Sequence, residues 1–204
     1  MKLILASNLG FVLKYGYDLT DIPKDQIKIG YITTASKGAT NADYVEALKV
    51  RIKEAGYYFE ELDIEDKTKE ELKEFFKDKN VIHMEGGNTF YLLKAIRKTG
   101  FDKILSELLN EGKVYIGTSA GSSIMGPTIG FSSHIPENTR EDELEALNFV
   151  PFLIKCHYAD DKEKEYKEIL QTIKYPVKIL RDGQGILVED SKYTFMGDGE
   201  EVKL

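Results

Sequence analysis

The stretch Val114-Tyr115-Ile116-Gly117-Thr118-Ser119-Ala120-Gly121-Ser122-Ser123 joins two kinds of pattern. Val114, Tyr115 and Ile116 form a short β-rich run, and Ala120 to Ser123 are small residues of the kind that open a closely packed helix. Between them, Gly117, Ser119 and Gly121 have the G-x-S-x-G spacing of a nucleophile elbow. In such an elbow a strained strand-to-helix turn holds a serine hydroxyl above the end of a sheet. The flanking positions must be glycine because side chains there would collide with the strand or the helix. The Ala120 amide then points toward a developing oxyanion, and the helix that starts here adds its positive dipole end. The plainer reading of the same residues is a serine that opens a helix.

On both sides of this stretch, short apolar runs alternate with amphipathic segments. Strands are expected at Leu3–Ala6, Ile27–Thr33, Tyr57–Leu62, Val81–Met84 and Lys113–Gly117. Helices are expected at Ala42–Ala55, where Val45, Leu48 and Ile52 share a face, at Lys69–Lys77, through Tyr91–Lys98 and through Asp102–Glu111. The second half is less regular. Residues 126–138 read as a loop or short strand pieces, Glu141–Leu147 and Lys162–Ile173 as helices, and Phe152–Cys156 and Val177–Leu180 as strands. Gly185–Glu189 and Tyr193–Met196 read as a hairpin turning at Asp190-Ser191. Alternation of this kind implies an α/β fold, a three-layer αβα sandwich with a mostly parallel sheet and an antiparallel end. A single domain over residues 1–204 is expected, with its functional site at the carboxyl ends of the strands.

Composition narrows the function classes. The chain has 204 residues, 28 basic against 35 acidic, and a formal net charge of −7. Without a basic run, an acidic surface repels nucleic acid and anionic membrane, so neither is expected as a partner. No apolar run approaches the roughly 18 residues of a membrane span. The start, Met1–Ala6, is too short for a signal peptide and reads as a strand. Cys156 is the only cysteine, which precludes an intrachain disulfide and fits a reducing cytoplasm. With three scattered histidines and no zinc spacing, no metal or organic cofactor is expected.

A serine nucleophile needs a base, and the histidines are His83, His134 and His157. His83 lies inside a strand and reads as a packed residue. His134 lies in the loop beyond the Ser119 helix and could approach the site. His157 closes the strand Phe152–Cys156 and is the best base. Its neighbour Cys156 should point to the opposite face and stay buried. The acid that orients the base is to be found among Asp182, Asp160 and Glu85. A second constellation, Met84-Glu85-Gly86-Gly87-Asn88-Thr89, is a strand end, two glycines and a helix cap. Its backbone amides could bind an anion or oxyanion.

Taken together, Leu3–Asn8, Gly86-Gly87-Asn88-Thr89-Phe90, Gly117–Gly121 followed by Pro127-Thr128-Ile129, and the strand ending in His157 resemble the peptidase E and cyanophycinase family of serine peptidases. Gly-Gly-Asn-Thr is closer to the peptidase E branch. The resemblance implies a fold like that of class I glutamine amidotransferases, with serine in place of their cysteine. It implies Ser119 as nucleophile, His157 as base, and the Gly87 and Ala120 amides as oxyanion hole, with Asn88, Thr89 and His134 placed to bind substrate. Enzymes of the dipeptidase E type remove an N-terminal aspartate from short peptides. The dipeptidase E branch has an aspartate where this chain has His134, and other branches use a carboxylate after a later strand, which maps to Asp182. Short peptides are therefore the expected substrate. Arg140, Lys155 and Arg181 are the cations that could anchor a substrate carboxylate. Two alternatives remain at this stage: a non-catalytic descendant that binds peptides or small molecules, and an esterase.

Overall fold

The computed structural model describes residues 1–39, 43–133 and 135–204. Seven strands form the main sheet, in the order β3-β2-β4-β5-β1-β8-β9. They are β1 (Lys2–Ala6), β2 (Lys28–Ile32), β3 (Tyr58–Leu62), β4 (Val81–Met84), β5 (Val114–Thr118), β8 (Gln184–Glu189) and β9 (Lys192–Gly197). β3, β2, β4, β5 and β1 run parallel, and β8 and β9 continue the sheet antiparallel. β6 (Leu153–Lys155) and β7 (Val177–Ile179) form a separate two-stranded parallel sheet.

The alternation along each strand explains the layers. Leu3, Leu5, Ile82, Met84 and Tyr115 pack on one face against helices Lys69–Phe76, Thr89–Thr99 and Phe101–Asn110. Ile4, Ala6, Val81, Val114 and Ile116 pack on the other face with Phe11, Val12 and Tyr17 and with Ile52 of helix Tyr44–Glu54. The fold is thus a three-layer αβα sandwich with a mostly parallel sheet. The hairpin turns where expected. Asp190 and Ser191 both have positive φ, +45° and +68°, the pairing a two-residue type I′ turn requires.

Several expectations need adjustment. Helix Glu141–Leu144 stops short of Leu147, and helix Glu163–Leu170 is shorter than Lys162–Ile173. Among the described residues of 126–138, the one β-pairing is an isolated bridge, Thr128 with Glu145. The segment after β1 is helical, Leu9–Phe11 running into a wider turn at Val12–Gly16. Its burial of Phe11, Val12 and Tyr17 shows why the apolar residues recur there. Ala42, the expected first residue of its helix, lies outside the described residues.

Candidate active site

Ser119 follows β5 with φ +50° and ψ −108°, a conformation that costs a non-glycine residue about 1–3 kcal/mol. Its surroundings hold it there. The Ser119 amide donates to Ala6 O (3.0 Å), and its carbonyl accepts from the amides of Ser122 and Ser123 (both 2.9 Å). Ser122 Oγ donates to the carbonyls of Ala6 and Gly117 (both 2.8 Å), tying the short helix to two strands. The elbow glycines are explained by close approach. A β-carbon on Gly117 would lie 2.6 Å from backbone atoms of Gly121, and one on Gly121 would lie 2.1 Å from the Met84 carbonyl oxygen.

The structure brings Ser119, His157 and Asp182 into one hydrogen-bonded line. His157 Nε2 is 2.9 Å from Ser119 Oγ, and His157 Nδ1 is 2.7 Å from Asp182 Oδ1. His157 leaves β6 in a left-handed conformation, φ +59°, which turns its ring toward the elbow while the buried Cys156 thiol faces Ala6 and Ser119 carbonyls. Burial pushes the Cys156 thiol up to about 12. Asp182 occupies the loop after β7. The His157 and Asp182 side chains are 50% and 59% exposed, so the line is open to a substrate.

A fourth residue, not foreseen from the sequence, completes this geometry. Ser7, fully buried at the carboxyl end of β1, donates its hydroxyl to Asp182 Oδ1 (3.0 Å) and accepts the His157 amide (3.0 Å). Asn8 Oδ1 accepts the Gly183 amide (3.3 Å), holding the Asp182 loop to the same strand end. The signal was present in the polar pair Ser7-Asn8 at a strand's carboxyl end, where polar side chains converge in open α/β sheets.

The other expected acids lie elsewhere. Asp160 is exposed and pairs with Arg181. Glu85 is buried and accepts from Tyr31 Oη (2.6 Å), the Gly86 amide (2.7 Å) and Thr118 Oγ1. His83 is fully buried in β4, and burial holds it near 4; its Nδ1 meets Tyr17 Oη at 3.0 Å.

The two-glycine turn lies directly against the elbow. A β-carbon on Gly86 would sit 2.9 Å from Ser119 Cβ. Gly87 has φ +141°, and a β-carbon there would lie 2.4 Å from the Ala35 carbonyl oxygen. Neither the Gly87 nor the Ala120 amide has a hydrogen-bond partner among the described residues. Asn88 caps helix Thr89–Thr99. Its Oδ1 accepts the Tyr91 amide (3.0 Å) and its Nδ2 donates to Gly38 O (3.0 Å), so the side chain is held by structural bonds. His134 lies outside the described residues; its neighbour Ser133 lines the cavities below.

Two cavities meet at Ser119 and His157. The larger, about 540 Å³, runs past Asn8, Glu85, Gly86 and Asn88 to Tyr44 and Arg51. The smaller, about 90 Å³, is walled by Ala120, Thr89, Ser123, Thr128, Phe131 and Lys155. The three candidate anchoring cations now separate. Arg140 pairs with Asp142 and Glu143, and Arg181 pairs with Asp160. Lys155 has no carboxylate partner among the described residues. Its Nζ donates to Phe131 O (3.3 Å) and lies 4.8 Å and 5.6 Å from the Phe131 and Tyr166 ring centroids. Burial lowers its pKa.

Comparison with known proteins decides the family. The model of peptidase family S51 matches residues 13–196. The chain belongs to peptidase family S51. Within the family, an uncharacterised peptidase of Listeria monocytogenes is 36% identical over 148 residues, 71% of each chain. A Drosophila melanogaster protein named "Probable alpha-aspartyl dipeptidase" is 29% identical over 142 residues, 64% of this chain and 59% of its own. A 1.5 Å crystal structure of a Listeria monocytogenes protein described as a peptidase E superposes with a TM-score of 0.81 at 27% identity, covering 97% of this chain and 98% of the other. The S51 chain described here is therefore a serine-type peptidase of the dipeptidase E kind, acting on peptides. Among the described residues, no helix is long and apolar enough to cross a membrane.

Proposed function

We propose that Ser119, His157 and Asp182 form the catalytic triad of a dipeptidase that removes a short acidic residue from the amino end of small peptides. The observation that carries this reading is the unbroken line from Ser119 Oγ through His157 to Asp182, with Lys155 on the wall of the small cavity beside it.

In this reading His157 Nε2 takes the Ser119 proton as the oxygen attacks the scissile carbonyl. Asp182 stabilises the imidazolium and fixes the tautomer that leaves Nε2 free to accept. The Gly87 and Ala120 amides receive the oxyanion, each worth roughly 3–4 kcal/mol at such positions. The imidazolium then protonates the leaving amine, and water repeats the sequence on the acyl-enzyme.

The cavities support a division of the substrate. The cavity of about 90 Å³ is the narrower of the two and has room for a compact polar side chain such as a carboxymethyl group. Lys155 supplies an ammonium there with no carboxylate in direct contact among the described residues, and a substrate carboxylate would provide that contact. Thr89, Thr128 and Ser123 offer hydroxyl partners on the same walls. The leaving residue occupies the larger cavity, toward Arg51. The name of the Drosophila relative agrees with an aspartyl residue at the cleaved position. A cytoplasmic setting belongs to the same proposal, supported by the single, free, buried cysteine.

The test is a panel of dipeptides and tripeptides varied at the first residue, with products read by mass spectrometry. Cleavage after aspartate well ahead of asparagine and leucine supports the proposal. Equal cleavage after aspartate and leucine would remove the acidic specificity while leaving the triad.

A further inference from the structure

Glu85 is the ionisable member of the Met84–Thr89 constellation, and the mechanism above does not use it. It is 3% exposed at the end of β4, and no cation pairs with it among the described residues. Its carboxylate instead collects three neutral donors from three parts of the site. Oε1 accepts the Gly86 amide (2.7 Å) and Thr118 Oγ1 together, and Oε2 accepts Tyr31 Oη (2.6 Å) from β2. A carboxylate has about four acceptor positions, and these three donors occupy three of them.

The bridge has a direction. Thr118 is the residue before Ser119, on the strand that presents the hydroxyl. Gly86 is the residue before Gly87, on the turn whose amide the triad reading assigns to the oxyanion. Two residues of the nucleophile strand and the oxyanion turn therefore converge on one oxygen atom. Other bonds tie the turn to its surroundings but not to the nucleophile strand: the Glu85 amide donates to Ile32 O (2.9 Å), Tyr44 Oη to Gly86 O (2.9 Å), the Asn88 amide to Ala35 O (2.9 Å) and Asn88 Nδ2 to Gly38 O (3.0 Å). The charge at Glu85 is felt by its neighbours, since burial together with that charge pushes the Tyr44 phenol up to about 12.

We propose that Glu85 is the positioning residue of the oxyanion hole, setting the distance between the Gly87 amide and Ser119 Oγ by binding Gly86 and Thr118 at once. This rests on the triad reading above. Oxyanion donors act only when placed within a few tenths of an ångström of the developing charge, so loosening the bridge acts on the transition state more than on ground-state binding.

The experiment compares wild type, Glu85→Gln, Glu85→Ala and Thr118→Val on an aspartyl dipeptide and on an aspartyl peptide aldehyde, whose hemiacetal oxygen occupies the oxyanion position. Folding is checked by circular dichroism and thermal melting. Glu85→Ala should lower kcat about 100-fold, leave KM within about threefold, and weaken the aldehyde by the same factor as kcat. Thr118→Val should do the same in smaller measure. Glu85→Gln keeps an oxygen for Gly86 and Thr118 and should stay within about tenfold of wild type. A folded Glu85→Ala with wild-type kcat overturns the proposal. So does a raised KM at constant kcat, which would make Glu85 a substrate contact, or a Gln variant as impaired as Ala, which would make the charge rather than the bridge essential. Wild type without activity on any peptide would instead overturn the triad reading, and this proposal with it. If Glu85→Ala does not fold, Thr118→Val and Glu85→Gln decide by the same split.

Discussion

Asp182 Oδ1 lies 2.7 Å from His157 Nδ1 and accepts the Ser7 hydroxyl at 3.0 Å. Asp182 is thus held by a residue far from it in sequence, and His157 by the same hydroxyl through its backbone amide. Ser7→Ala removes both bonds without touching the three residues of the triad. It should lower kcat by about tenfold and leave KM nearly unchanged, whereas His157→Ala and Asp182→Ala should cost about 1,000-fold or more. Asp160→Ala, which breaks only an exposed pair with Arg181, should stay near wild type. Steady-state kinetics on one aspartyl dipeptide checks all four.

Lys155 is the specificity test. Lys155→Met keeps the apolar stem against Phe131 and Tyr166 and removes the charge. It should lower kcat/KM for aspartyl peptides by about 100-fold and narrow the preference over the corresponding asparaginyl peptide. An unchanged ratio between the two substrates would place the acid-recognising group elsewhere.

Cys156 should be inert in the folded protein. Burial raises its thiol to about 12, and the thiolate is the reactive species. Iodoacetamide at pH 8 should leave native Cys156 unmodified and alkylate it in urea, as intact mass will show. Rapid native alkylation would mean that the strand carrying His157 opens readily.

His83 has a pH consequence for stability. Burial depresses it from 6.5 to about 4, so between those values the unfolded chain takes up a proton that the folded chain does not. Stability from this group is fully present above about pH 6.5 and declines as the pH falls toward 4, by on the order of 3 kcal/mol in all. Imidazole NMR should show His83 neutral at pH 5.5. A midpoint near 6.5 would contradict its burial beside Tyr17 and Tyr31.

Much of this was legible in the sequence because its signals are local. Gly117-x-Ser119-x-Gly121 states its own geometry, and the structure shows the two backbone approaches that exclude a β-carbon at each glycine. His157 and Asp182, which the structure brings into one line with Ser119, each follow an apolar run, where polar residues converge at strand ends. What escaped is non-local. Nothing in the run Phe152–Cys156 says that it pairs with β7 in a separate small sheet. Ser7 could not be assigned because its partners are 150 and 175 residues away. Lys155 could not be separated from Arg140 and Arg181 until their carboxylate partners were in place.

The most direct test of the triad is to trap the acyl-enzyme. An aspartyl p-nitrophenyl ester, mixed with enzyme, acid-quenched and digested, should leave the aspartyl group on the peptide containing Ser119. Ser119→Ala and His157→Ala should carry none. An aspartyl adduct on another residue, or equal product release by Ser119→Ala, would contradict the assignment of Ser119 as the nucleophile.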